Sequence, residues 1–128
     1  KKYDLIVCNY ANADMLGHTG DLEATITSIE TLDSCLSKLS TTLAKTGTEM
    51  ILTADHGNAE KMLNIETNEP HTTHTTSPVP FIYIGCQAKE ISNHQGSLID
   101  IAPTVLTLLN IKPPFEMTGS SLLAPLKV

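Results

Sequence analysis

Between residues 21 and 45 the apolar side chains fall on a helical period. Leu22, Ile29, Leu36 and Leu43 stand seven apart, with Ile26, Leu32 and Leu39 between them. This spacing predicts one apolar face on a helix of about 25 residues, ~38 Å long at 1.5 Å per residue. Asp21 or Thr19 can cap its start and Gly47 can end it. A seven-residue period also suits a coiled coil, but the flanks favour another reading. Leu5-Ile6-Val7-Cys8 and Met50-Ile51-Leu52-Thr53 are short apolar runs with β-branched members, the pattern of buried strands. A helix between two such runs is the crossover of a βαβ unit. Because such crossovers are right-handed, the two strands are expected to be parallel. Their carboxyl ends then share one edge of an open α/β sheet, the edge where such sheets bind ligands.

Further along, residues 58–80 are polar and irregular, punctuated by Pro70, Pro78 and Pro80. Phe81-Ile82-Tyr83-Ile84 reads as a third strand, antiparallel to the first two if His74 reaches their common edge. Residues 86–97 read as a surface loop. Asp100 can cap a helix from Ile101 to about Leu109, with Pro103 in its first turn and Pro113-Pro114 beyond its end. Gly119-Ser120-Ser121-Leu122-Leu123 suggests a last short turn.

Composition removes several function classes. The chain has 128 residues, enough for one domain, with eight basic against fourteen acidic residues and a net charge of -6. No Lys/Arg cluster exists to neutralise phosphates, so nucleic acid is not an expected partner. No apolar run approaches the ~20 residues needed to span a bilayer. Three cysteines, Cys8, Cys35 and Cys86, are widely spaced without a CxxC pair, which suggests neither a zinc knuckle nor a disulfide framework. Free thiols and a start at Lys1-Lys2-Tyr3-Asp4 without a signal-peptide pattern lead to the expectation of a cytoplasmic protein.

Chemistry concentrates in three segments. They are Asn12-Ala13-Asp14-Met15-Leu16-Gly17-His18-Thr19-Gly20, Thr53-Ala54-Asp55-His56-Gly57-Asn58 and His71-Thr72-Thr73-His74-Thr75-Thr76. Carboxylate oxygen with imidazole nitrogen suits divalent cations, and paired ions are a device for phosphoryl chemistry. Asp14 and His18 are four apart, so one helical turn aims both to the same side. A capping aspartate and a surface histidine would give the same spacing. Asp55 and His56 are adjacent and can serve one ion only where the chain turns, which Gly57 permits; a strand end with a satisfied histidine is the alternative. Either His71 or His74 can complete a two-His, one-carboxylate set with Asp14 and His18. His94, beside Asn93 and Gln95, reads as a surface residue.

Taken together, these segments resemble the cofactor-independent phosphoglycerate mutases of the alkaline-phosphatase-like superfamily. The resemblance runs from Lys2 to Leu123, including Asn12–Gly20, Thr53–Glu60, His74-Thr75-Thr76-Ser77-Pro78-Val79-Pro80, Asp100–Thr104 and Met117–Leu122. It implies an α/β fold, part of a three-layer alkaline-phosphatase-like architecture with a mostly parallel sheet flanked by helices. It also implies two divalent ions, manganese first with cobalt or zinc as alternatives, and no organic cofactor. Asp14, His18 and His74 match the ligands of one ion, and Asp55 and His56 two ligands of the other. The reaction implied is interconversion of 2- and 3-phosphoglycerate in glycolysis and gluconeogenesis through a phosphoserine.

No residue here matches the family's nucleophilic serine, its partner aspartate or its inserted substrate domain. Residues 1–128 are thus expected to be the carboxyl-terminal portion of the metalloenzyme domain of a longer, monomeric enzyme. The chain alone is expected to be inactive and to bind one ion better than two. Competing readings are another phosphatase, phosphodiesterase or phosphopentomutase of the superfamily, a non-catalytic metal-binding domain, or a structural domain with incidental histidines. Substrate preference separates the first from the mutase, and the last predicts no metal binding.

Overall fold

The computed structural model describes residues 2–91 and 95–125. Two compact units are present, one spanning 7–84 and the other combining the described parts of 1–6 and 85–128.

In the first unit a short helix, α1 (Asn12–Gly17), precedes the long helix α2 (Leu22–Thr46). The signals that bound α2 act as the sequence suggests. The Asp21 carboxylate accepts from Ala24 N at 3.0 Å, and Gly47 takes the left-handed conformation at φ 60°. Thr19 holds the cap itself, its hydroxyl accepting from Asp21 N at 3.1 Å. α1 packs against α2, whose buried residues are Thr25 and Ser28. Leu32, Leu36, Leu39 and Leu43 are half-buried, whereas Leu22, Ile26 and Ile29 stand exposed. Periodicity therefore located the covered side over the carboxyl-terminal half of α2, but not over its first turns, where Thr25 and Ser28 are buried instead.

After α2 comes β1 (Met50–Thr53), which pairs with β4 (Phe81–Ile84) in antiparallel register, Thr53 opposite Phe81. The antiparallel third strand is as expected, and it sets the start of β4 beside the end of β1. Parallel pairing of 5–8 with 50–53 is not: Leu5–Cys8 forms no strand, and Ile6 and Val7 are 75% and 86% exposed. β-branched apolar residues favour an extended backbone, but a strand exists only where a neighbour supplies the ladder. Every ladder among the described residues is antiparallel. Within the stretch expected to be irregular, β2 (Leu63–Asn64) and β3 (Glu69–Pro70) form a small hairpin.

The second unit holds β5 (Ala88–Ile91), a 3-10 turn (Leu98–Asp100), α3 (Ile101–Leu108) and β6 (Leu123–Pro125). β5 and β6 pair antiparallel, so part of the expected 86–97 loop and the end of the expected last turn are strands. His94 lies outside the described residues. α3 carries Pro103 in its first turn as expected. Asp100 does not cap it by side chain. Its carboxylate instead accepts from Ser97 N and Ser120 N, both at 2.8 Å, tying two chain segments together. The helix ends before the prolines, in a Schellman closure at Asn110 (φ 57°). Ile111 N donates to Leu106 O and Asn110 N to Thr107 O. Leu122 and Leu123 are buried beside the fully buried Thr104, whose hydroxyl donates to Asp100 O at 2.6 Å and accepts from Leu122 N at 2.9 Å. Among the described residues no helix is long and apolar enough to cross a membrane.

Candidate metal centre

One helical turn presents Asp14 and His18 together. Asp14 lies in the first turn of α1 and His18 is its C-cap, so the i, i+4 geometry brings Asp14 Oδ1 to 3.3 Å from His18 Nε2. The loop after β3 brings in a third group. His74 Nε2 lies 3.3 Å from Asp14 Oδ1 and 3.0 Å from His18 Nε2. The ligand atoms of these three residues all fall within 4.8 Å of one another. Among the described residues they are the one such group of three or more histidine, cysteine, aspartate or glutamate residues.

Hydrogen bonds outside the cluster orient its members. His18 Nδ1 is 2.8 Å from the Thr72 carbonyl oxygen, which can only accept, so Nδ1 carries the proton and the Nε2 lone pair faces inward. Two imidazole nitrogens 3.0 Å apart require either a proton between them or a cation touching both. One oxygen and two imidazole nitrogens converging in this way fit a first-row divalent ion with positions left open for other ligands.

Asn58 governs the carboxylate. It is buried (5% exposed), and its amide nitrogen donates to Asp14 Oδ1 at 2.6 Å and more distantly to Asp14 O at 3.3 Å. This bond, more than any other influence, holds the Asp14 carboxyl below its ordinary pKa of 3.8. Desolvation opposes it, and His18, His74 and His56 add to it. Gly17 makes room for the arrangement, since a Cβ there would overlap the Asn58 side-chain amide. No spacing signal marked this role, since Asn58 stands in the second ligand segment, 44 positions from its partner.

The second pair sits alongside. The His56 ring stacks on His74 with centroids 3.7 Å apart, and its Nδ1 is 4.0 Å from Asp14 Oδ1. Asp55 Oδ1 is 3.7 Å from His56 Nε2 with its side chain 81% exposed. Asp55 and His56 are thus beside the cluster and near each other, but no third ligand joins them among the described residues. His71 is apart from the cluster, its Nε2 3.3 Å from the Thr73 hydroxyl and its Nδ1 buried without a hydrogen-bond partner. Of the two histidines left open by spacing, His74 is the one that reaches Asp14 and His18.

Helix α1, the turn after β1 and the loop after β3 together gather three histidines and two aspartates in one place. The chain belongs to the metalloenzyme superfamily, whose family model matches residues 1–113. More narrowly, it is 54% identical over 122 residues to the 2,3-bisphosphoglycerate-independent phosphoglycerate mutase of Nitrosococcus oceani, covering 95% of this chain and 23% of that protein. With the enzyme of the same name from Legionella pneumophila strain Paris it shares 53% over 123 residues, 96% of this chain and 24% of that one. A structure of Leishmania mexicana phosphoglycerate mutase at low cobalt concentration superposes with a TM-score of 0.80 at 32% identity, over 91% of this chain and 24% of that chain. The chain spans about a quarter of the length of the curated relatives it matches.

Proposed function

We propose that this chain is the carboxyl-terminal part of the metal-bearing domain of a cofactor-independent phosphoglycerate mutase, an isomerase that interconverts 2- and 3-phosphoglycerate. The observation that carries the reading is the convergence of Asp14, His18 and His74 in a chain more than half identical to enzymes of that name. Asp14, His18 and His74 would hold one divalent ion. Asp55 and His56 would contribute to a second, whose remaining ligands lie in sequence outside these residues.

Bound divalent ions supply positive charge that neutralises phosphate oxygens and favours the alkoxide of a nucleophile. The residues of this chain act by placement. His18, held by the Thr72 carbonyl, presents a lone pair in the tautomer a ligand needs. Asn58 lowers the pKa of the Asp14 carboxyl further and holds Oδ1 in place beside the two imidazoles. The serine that takes the phosphoryl group, and the residues that recognise glycerate, belong to the rest of the enzyme, so the 128-residue chain by itself is inactive. Manganese is the proposed metal, with cobalt or zinc as substitutes; the proposed setting is glycolysis and gluconeogenesis in the cytoplasm, in a monomer.

Manganese titration of the full-length protein by electron paramagnetic resonance, beside His74→Ala and Asp55→Ala, tests the assignment. Two bound ions are expected, each variant losing a different one, and both variants losing conversion of 3- to 2-phosphoglycerate. Full stoichiometry in either variant would remove that residue from the ligand set, and a fully metallated protein without mutase activity would refute the function.

A further inference from the structure

Thr75 follows His74 directly, and the contacts of its side chain bear on where the histidine points. Thr75 bridges to Gly57, four residues past the end of β1, its N–H donating to Gly57 O at 2.8 Å. In such an extended contact neighbouring side chains face opposite ways. The Thr75 hydroxyl donates to Glu60 Oε1 and accepts from Ser77 N at 3.3 Å. Glu60 is brought back toward the bridge by a turn in which Lys61 N donates to Asn58 O at 3.1 Å. With Thr75 turned to Glu60, the side chain of His74 is directed the other way, to Asp14 and His18. The approach is close enough that Gly57 must lack a Cβ, which would overlap both the Thr75 hydroxyl and the Glu60 carboxylate.

We propose that Glu60 and Thr75 form a clasp that positions His74 for metal binding, with the hydroxyl at residue 75 as the group that sets the register of the ligand loop. Both are positioning residues: they act through His74 and do not themselves reach the ion. The proposal rests on the reading of His74 as a ligand. Outer hydrogen bonds made to a ligand itself are worth about 10–100-fold in metal affinity, and a clasp that acts one residue away, through the backbone, is expected at or below about 10-fold, because a ligand free to swing must be ordered when the ion binds.

Cobalt titration of the full-length protein, followed in the visible absorption of the bound ion, separates the two claims. Thr75→Val conserves the shape of the side chain and removes the hydroxyl, so affinity at the His74 site should fall by up to about 10-fold with an altered spectrum. Thr75→Ser, which restores the hydroxyl, should return both to wild type. Glu60→Ala, at an exposed position, should repeat the Thr75→Val result without disturbing the fold. Wild-type affinity and spectrum in both Thr75→Val and Glu60→Ala, while His74→Ala loses the ion, would overturn the clasp and leave the ligand assignment standing. Unchanged binding in His74→Ala would overturn both.

Discussion

Gly17→Ala isolates the packing behind the candidate metal centre, because two opposed effects decide its sign. Gly17 is helical and buried, and alanine in a helix is favoured over glycine by up to ~1 kcal/mol. Against this, the new Cβ would overlap Asn58, which is fixed by its bonds to Asp14. Leaving Asn58 in place costs about 1–3 kcal/mol of overpacking. Letting it swing away forfeits a hydrogen bond to a charged group, ~1.5–3 kcal/mol when buried, to be taken at the low end here because the Asp14 side chain is 39% exposed. These are alternatives, so the cheaper sets the cost at about 1–1.5 kcal/mol, and the net destabilisation after the helix propensity is about 0–1.5 kcal/mol. In an Asn58→Ala background the obstacle is gone, and the same substitution should stabilise by up to ~1 kcal/mol. Urea unfolding midpoints of the four proteins measure this change of sign, and cobalt affinity should fall with Gly17→Ala in the otherwise native protein. Equal stabilisation by Gly17→Ala in both backgrounds would refute the claim that Gly17 is there to seat Asn58.

Two further outcomes are expected. The Glu60 carboxyl is held below its ordinary 4.5, first by the Thr75 hydroxyl and then by Ser77. A depressed folded pKa contributes stability that is present above the ordinary value and lost as pH falls through the lowered one. Glu60→Gln should therefore flatten the acid limb of the unfolding midpoint below about pH 4.5 while leaving the neutral-pH shape unchanged, and an identical acid limb would contradict the bond. In the other unit, Thr104→Val conserves volume but leaves the buried Leu122 N–H without its acceptor, and denaturant unfolding should register a loss of about 1–3 kcal/mol. No loss would mean that Leu122 N finds another partner.

The features legible in the sequence were those set by neighbours along the chain. Asp21 and Gly47 bound α2 because capping and left-handed closure need only a few adjacent residues. Asp14 and His18 meet because one helical turn brings them together wherever the helix lies. The strands 50–53 and 81–84 were readable from short apolar runs, and the reach of His74 to the same edge correctly implied their antiparallel pairing. Where the sequence misled, the missing information was lateral. Leu5–Cys8 has strand composition without a ladder, β5 and β6 have a ladder without a strong strand pattern, and the Asp100 carboxylate left its helix to hold Ser97 and Ser120.

By itself, then, the sequence determined which segments carry metal-type donor atoms, how Asp14 and His18 are spaced, and where the long helix starts and stops. Only the tertiary structure decided that Asn58 steers the carboxylate from 44 positions away and that Thr75 is held by Glu60, while it brought to Asp14 and His18 the histidine, His74, that the resemblance had already matched. The physical reason is reach. Periodicity and capping act over a turn or two of chain, whereas a hydrogen bond needs its two partners within about 3 Å in space and carries no record of their separation in sequence.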